Sequence, residues 1–239
     1  MEKGLKCALV TGASSGIGKE CSRMLLEEGF RVFGIARDFG KCDLTDENFV
    51  RIECDLKDAN AVFELKKKIP KKDLKVLINN AGIGHFAPHE ELSFKKIEEM
   101  IDLNLKAPVL LTNLFLRELK KNEGYVFNIN SVSALKASFF GAVYGATKAG
   151  LRHFGISLFE EARKSGLKVT NINPDFTKTP FFDELNFSPD EDPLSYIEPK
   201  DIAAIIKEVL NLREGTVVTE ITVQPQKFKI LKKKAKKRN

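Results

Sequence analysis

The chain has 239 residues, 43% of them hydrophobic and 30% charged, an ordinary balance for a globular protein of one large domain or two small ones. No stretch approaches the roughly 20 apolar residues of a membrane helix, which excludes a helical membrane protein, and no apolar leader with small cleavage-site residues follows Met1. The net charge of +6 is local: setting aside the eight Lys and Arg of residues 227–239 leaves 31 of the 39 basic residues against 33 acidic ones, a net of −2.

Apolar runs alternate with helical patterns along the chain. The runs predict strands at Cys7–Thr11, Arg31–Ala36, Phe49–Asp55, Lys75–Asn80, Tyr125–Asn130, Lys168–Asn173 and Val217–Val223. Most are continuous in Val, Ile, Leu and Phe, as expected of strands covered on both faces in a parallel sheet. Helical patterns lie between them near 17–28, 58–69, 93–121, 144–165 and 200–212, with Ser93 as an N-cap candidate and Gly166 as a helix stop. Pro108 falls inside the long pattern at 93–121. Its missing N–H frees a carbonyl near Asn104, predicting either a local distortion there or two separate helices. Strand–helix–strand alternation over this length predicts one doubly wound α/β domain of the Rossmann type. Its seven-stranded sheet is mostly parallel, flanked by helices, and spans 1–226. Cys7, Cys21, Cys42 and Cys54 form no CxxC pair and read as reduced thiols, which places the protein in the cytoplasm. No residue pattern suggests a metal site or specific nucleic-acid binding.

The first strand ends in Thr11-Gly12-Ala13-Ser14-Ser15-Gly16-Ile17-Gly18 and runs into a helix. Unpaired N–H groups and the helix dipole make such a turn a seat for a pyrophosphate, although a plain structural turn has the same shape. Gly12 permits the tight turn, while Gly16 and Gly18 allow close approach. The second strand ends Ala36-Arg37-Asp38. An NAD site usually puts an acid where Ala36 stands. Arg37 instead suits a 2′-phosphate and points to NADP, with NAD the less favoured cofactor. Asp38 is the acid that would serve NAD, and a solvated strand-end charge is the plain alternative for Arg37.

Tyr144 and Lys148 share one helix face at i and i+4. An ammonium beside a phenol favours phenolate, so the spacing predicts a Tyr144 pKa lowered toward neutrality and a group able to move a proton. Ser131 lies thirteen residues upstream at the end of the fifth predicted strand, where the ligand crevice of a parallel sheet opens. Asn79-Asn80-Ala81-Gly82 ends the fourth strand in a polar turn.

With TGxxxGxG at 11–18, NNAG at 79–82, Asn104, Ser131 and YxxxK at 144–148 in order, residues 5–224 resemble the short-chain dehydrogenase/reductase superfamily. The resemblance implies that Tyr144 is the general acid in reduction and the base in oxidation. Lys148 would tune Tyr144 and hold the nicotinamide ribose. Ser131 would hydrogen-bond the substrate oxygen, and Asn104 would anchor a water leading to Lys148. It further implies cofactor contacts at Gly12, Ser14, Ser15, Gly16, Ile17, Gly18, Arg37, Asp55, Leu56, Asn80, Ala81, Gly82, Pro174, Thr177 and Thr179, besides Tyr144 and Lys148. Asn104 as a surface amide, Ser131 as a strand-end cap and Asp55 as an ordinary turn residue are the plain alternatives. Asp175 stands where the family usually has a glycine, and its carboxylate is expected near the cofactor's carboxamide.

Residues 180–198 interleave Phe181, Phe182, Leu185, Phe187, Leu194, Tyr196 and Ile197 with acids and three prolines. In the family this segment is a lid, and with Lys136, Phe139 and Phe140 it suggests a partly apolar small-molecule carbonyl or alcohol. The resemblance implies an NADP(H)-preferring oxidoreductase, with a 3-oxoacyl-thioester reductase or a non-catalytic nucleotide sensor as alternatives, and assembly as a homodimer or homotetramer. The charge block at 227–239 reads as a disordered or frayed basic tail whose removal leaves turnover unchanged.

Overall fold

The computed structural model describes residues 5–70 and 72–233. In chain order the strands are β1 (Cys7–Thr11), β2 (Arg31–Ala36), β3 (Phe49–Glu53), β4 (Leu74–Asn79), β5 (Tyr125–Ile129), β6 (Lys168–Pro174), β7 (Phe187–Pro189), β8 (Glu220–Val223) and β9 (Ile230–Lys232). Seven of them form one sheet, ordered β3-β2-β1-β4-β5-β6-β8, with every neighbouring pair parallel. All seven predicted sheet strands are present, with some ends shifted. β7 and β9 were not predicted and pair antiparallel in a separate ribbon.

Side chains alternate across the sheet, so each apolar run feeds two cores. Ala8 and Val10 join residues of α1 (Gly16–Glu27) such as Leu25. Cys7 and Leu9 join Val62 and Leu65 of α2 (Ala59–Lys68) on the opposite face. α3 (Phe94–Ile101) is capped by Ser93, which accepts from Lys96 N–H. α4 (Ala107–Lys121) and α5 (Ala142–Ala162) cover the α2 face with Phe115 and Leu158, and α6 (Pro199–Leu210) covers the α1 face with Ile202 and Ile206. Fully burying each such side chain stabilises the fold by roughly 1.5–3 kcal/mol.

The long predicted helix does bend at Asn104. Asp102–Lys106 forms a π turn between α3 and α4, and Ala107 N–H reaches back five residues to the Asp102 carbonyl. Pro108 has no N–H to offer Asn104, which accounts for the wider turn.

A row of amides crosses the sheet beneath α4 and α5. Asn79 Nδ2 donates to Thr112 Oγ1 (3.2 Å) and Asn128 Oδ1 (2.9 Å), and Asn128 Nδ2 donates to Asn171 Oδ1 (3.3 Å). Asn171 is in register with Glu220, which takes Arg152 Nε at 2.6 Å. Gly155 makes the fit possible, since a Cβ there would lie 2.4 Å from Asn171 Oδ1.

Candidate active site

Chain direction across the sheet reverses between β1 and β4, and a crevice opens beyond the carboxyl ends of strands at such a point. Thr11 locks the two strand ends together. Its Oγ1 accepts the N–H groups of Asn80 (2.9 Å) and Ala81 (3.0 Å), and Asn80 Nδ2 donates back to the Thr11 carbonyl at 2.8 Å. Gly12 and Gly16 adopt φ of +67° and +52°, a region side chains rarely occupy. At Gly18 a Cβ would meet the Gly12 carbonyl oxygen at 2.2 Å.

This turn borders a cavity of about 690 Å³ lined by Ser14, Ser15, Gly16 and Arg37. Lys19, Lys41 and Lys178 also line it, and the sequence reading missed them. Lys19 falls directly after the glycine turn, a position that could have signalled it. Its Nζ is held 3.1 Å from Asp43. Asp38 lines the cavity as well, with its Oδ1 accepting Gly40 N–H at 2.7 Å. The predicted loop contact Ile17 is half-buried, with its side chain packed on the α1 core. Thr179 closes against the turn, because a Cβ on Gly16 would meet its Cγ2 at 2.9 Å. Thr177 is buried and its hydroxyl donates to the Asp175 carbonyl, while Pro174 ends β6 opposite Val223. Past β3, Leu56 is buried close to Ala81, and Asp55 Oδ1 accepts Lys57 N–H.

The four predicted reacting groups converge beside the turn after β4. Tyr144 and Lys148 both point inward from α5, 7% and 4% exposed, with Nζ 5.9 Å from the phenol ring centre. Lys148 Nζ donates to the Ile129 carbonyl at the end of β5. Ser131 follows that strand, caps a short 3-10 turn by accepting Ser133 N–H, and lies near enough to Tyr144 to oppose the rise of its pKa. Asn104 is fully buried. Its Oδ1 accepts Ile83 N–H at 2.9 Å, and its Nδ2 donates to the Ile83 carbonyl at 2.8 Å and to Thr147 Oγ1 at 3.2 Å. A Cβ on Gly82 would lie 3.3 Å from both Asn104 Oδ1 and Lys148 Nζ, so only glycine leaves that space open.

The predicted lowering of the Tyr144 pKa is not what the structure shows. Burial pushes the phenol up to about 12, with Ser131 pulling modestly the other way. The same burial brings Lys148 down to about 8. Spacing places the two groups on one helix face, but desolvation of that face favours the neutral form of each.

The glycine-to-aspartate change is accommodated without strain, because Asp175 lies outside the positive-φ residues of the described chain. Its side chain is 5% exposed, accepts Phe176 N–H at 3.0 Å and Gln224 Nε2 at 3.3 Å, and sits 3.9 Å from Lys136 Nζ. The carboxylate is thus engaged by its own turn and by the chain beyond β8. Phe140, by contrast, holds φ of +58° in the loop before α5, with its carbonyl accepting Ala87 N–H. Phe86 and Phe181 cover the Tyr144 ring, at centroid distances of 5.2 and 5.8 Å.

The basic tail is a further correction. Residues 227–233 are ordered against the predicted lid, and β9 lies within them; 234–239 fall outside the described residues. Apolar contact from Phe228 and pairing with β7 override the like-charge pattern that suggested disorder.

A glycine-turned crevice flanked by a buried phenol, a buried amine and a half-buried hydroxyl defines a Rossmann-type oxidoreductase. Residues 6–189 match the family model described as short chain dehydrogenase, and the chain belongs to that family. It is 33% identical over 180 residues to a serine 3-dehydrogenase of Agrobacterium fabrum, covering 72% of each chain. It is 28% identical over 232 residues to an NADP-dependent 3-hydroxy acid dehydrogenase of Salmonella typhi, covering 91% of this chain and 94% of that one. An alcohol dehydrogenase from Thermococcus sibiricus, solved with 5-hydroxy-NADP, superposes with a TM-score of 0.84 at 26% identity, covering 92% of this chain and 97% of that one.

Proposed function

We propose that the protein moves hydride between NADP(H) and a carbonyl or secondary-alcohol substrate, with Tyr144 handling the proton. The carrying observation is the convergence of Tyr144, Ser131 and Lys148 beside the glycine turn. The site fits the cofactor: the glycines leave a backbone cradle that side chains would fill, and in the adjoining cavity Arg37 and three lysines outnumber Glu20 and Asp38. Gly12, Ser14, Ser15, Gly16 and Gly18 would hold the pyrophosphate, Arg37 the 2′-phosphate, and Thr177 and Thr179 the nicotinamide end. The named cofactors of the Salmonella relative and the Thermococcus structure support NADP. When bound, the nucleotide supplies or accepts the hydride.

The remaining chemistry belongs to the chain. A phenol raised to about 12 keeps its proton at neutral pH, so Tyr144 can donate to an oxygen that gains negative charge during reduction. Ser131 offers a second donor to the same oxygen. The phenolate left behind is stabilised by Ser131 and by the ammonium form of Lys148. Asn104 fixes the Ile83 backbone close to Lys148 and would anchor a water leading to that amine.

The test is loss of NADPH absorbance over a panel of small carbonyls. Turnover in the parent and none in Tyr144→Phe supports the reading, whereas NADPH binding with no turnover of any substrate favours the sensor. Exposed apolar side chains, Phe94 and Ile101 on α3 and Ile156 on α5, support self-association into a dimer or tetramer, which light scattering measures. Among the described residues no helix is long and apolar enough to cross a membrane.

A further inference from the structure

Aromatic rings form a continuous path from Tyr144 to the end of the described chain. Phe187 stands edge-on to Phe86 at 5.2 Å. Phe182 meets Phe181 at 5.3 Å and Phe187 at 5.9 Å. Phe176 meets Phe182 at 5.7 Å and Phe187 at 6.3 Å, and Phe228, itself 65% exposed, leans on Phe176 at 5.6 Å. The segment that carries Phe228 is fastened to the lid at several points. Lys227 N–H donates to the Leu194 carbonyl, and Lys227 and Lys229 Nζ sit 3.2 and 3.3 Å from Asp192 Oδ2. β9 pairs with β7 from Phe187↔Lys232 to Pro189↔Ile230, and Lys233 Nζ donates to the Phe182 carbonyl. The C-terminal segment and the lid are therefore joined by backbone pairing, ion pairs and ring contacts.

Two three-residue strands are marginal by themselves, so this joined unit is held shut by ring packing and ion pairs and can open. Tyr144 is 7% exposed beneath it. A substrate that reaches the phenol must displace ring contacts from Phe86 and Phe181. A flat apolar group on the substrate restores contacts of the same kind, and a short alkyl group does not.

We propose that residues 224–233 form the outer wall of the substrate site. Phe228 is a positioning residue that sets Phe176 and Phe187 and, through them, the rings over Tyr144. The substrate is a carbonyl or secondary alcohol bearing an aromatic or comparably broad apolar group. This deepens the proposed oxidoreductase reading and rests on it.

The experiment compares acetophenone with butanone on the full chain loaded with NADPH. Binding is read by calorimetry in a Tyr144→Phe background, and KM and kcat are read in the parent background. Acetophenone should bind the tighter of the two. Phe228→Ala should weaken acetophenone binding and raise its KM by about fivefold, the size of one aromatic pair, with kcat undiminished and butanone unaffected. Phe228→Tyr should restore the parent values, and a chain ended at Gln226 should follow Phe228→Ala. Equal effects on both ketones, or acetophenone binding no tighter than butanone, would overturn the proposal. Selective acetophenone binding without turnover of either ketone would sink the oxidoreductase reading and leave the aromatic wall standing. Turnover of both ketones with KM values indifferent to Phe228 would do the reverse.

Discussion

Replacing Arg37 with alanine removes the one arginine lining the cavity beside the glycine turn. Two of the three neighbouring lysines are poor substitutes. Lys19 is held 3.1 Å from Asp43, and Lys178 Nζ sits 4.6 Å over the Tyr196 ring. Asp38, the acid that could serve an NAD ribose, is tied to Gly40 N–H. Hydrogen bonds from a guanidinium to a phosphate contribute about 1.5–3 kcal/mol, so NADPH binding should weaken by about 10- to 150-fold. NADH lacks the 2′-phosphate and should weaken no more than about threefold, an energy below 1 kcal/mol. Fluorescence titration of both nucleotides at low ionic strength measures the two constants, and added salt should shrink the difference. Equal loss for NADH and NADPH, or a parent protein that binds NADH as tightly as NADPH, would refute the assignment of Arg37.

Tyr144→Phe should lower turnover by about 10²–10⁴-fold, the usual share of a general acid, while the NADPH dissociation constant stays nearly unchanged; a rate close to that of the parent removes Tyr144 from the chemistry. In the nucleotide-free protein the Tyr144 phenol should titrate toward pH 12, visible as the ultraviolet difference between parent and Tyr144→Phe. Its folded pKa lies above the ordinary value of 10.0, so its stabilising effect is complete below pH 10 and disappears as pH rises toward 12. A tyrosinate signal near neutrality that vanishes in the variant would contradict this. Gly18→Ala sets a Cβ 2.2 Å from the Gly12 carbonyl oxygen and 2.5 Å from Asn80 Nδ2, so it should cost about 1–3 kcal/mol and weaken NADPH binding. An unchanged melting temperature would show that the turn yields more easily than its geometry implies.

The sheet was legible because its strands are buried on both faces, and runs such as Cys7-Ala8-Leu9-Val10 have no other reading in a chain of alternating elements. Tyr144, Lys148 and Ser131 were legible for a related reason: helix spacing and a strand end determine where a side chain projects. The Asn104 distortion followed from the missing N–H of Pro108. What escaped depends on partners distant in sequence. β7 and β9 are three residues long, Pro189 ends one of them, and β9 lies in a run of lysines that by itself predicts repulsion. Contact with Asp192 and Phe176 and pairing with β7 make that run fold back. The direction of the Tyr144 shift was misjudged because spacing locates an ammonium but says nothing of the water removed around it. The Asp175 backbone required coordinates, since residue type alone does not reveal φ.

The amide row from Asn79 through Asn128 to Asn171 works as a keyway between strands. A slip of β5 by one residue would turn Asn128 toward the oily α1 face, where its carboxamide would have no mate, at a cost of about 1–3 kcal/mol. The same slip would carry Ser131 about 3.3 Å along the strand axis, out of step with the tyrosine it serves. The chain thus checks its alignment deep under the helices, and the accuracy of that check reaches the reacting oxygen.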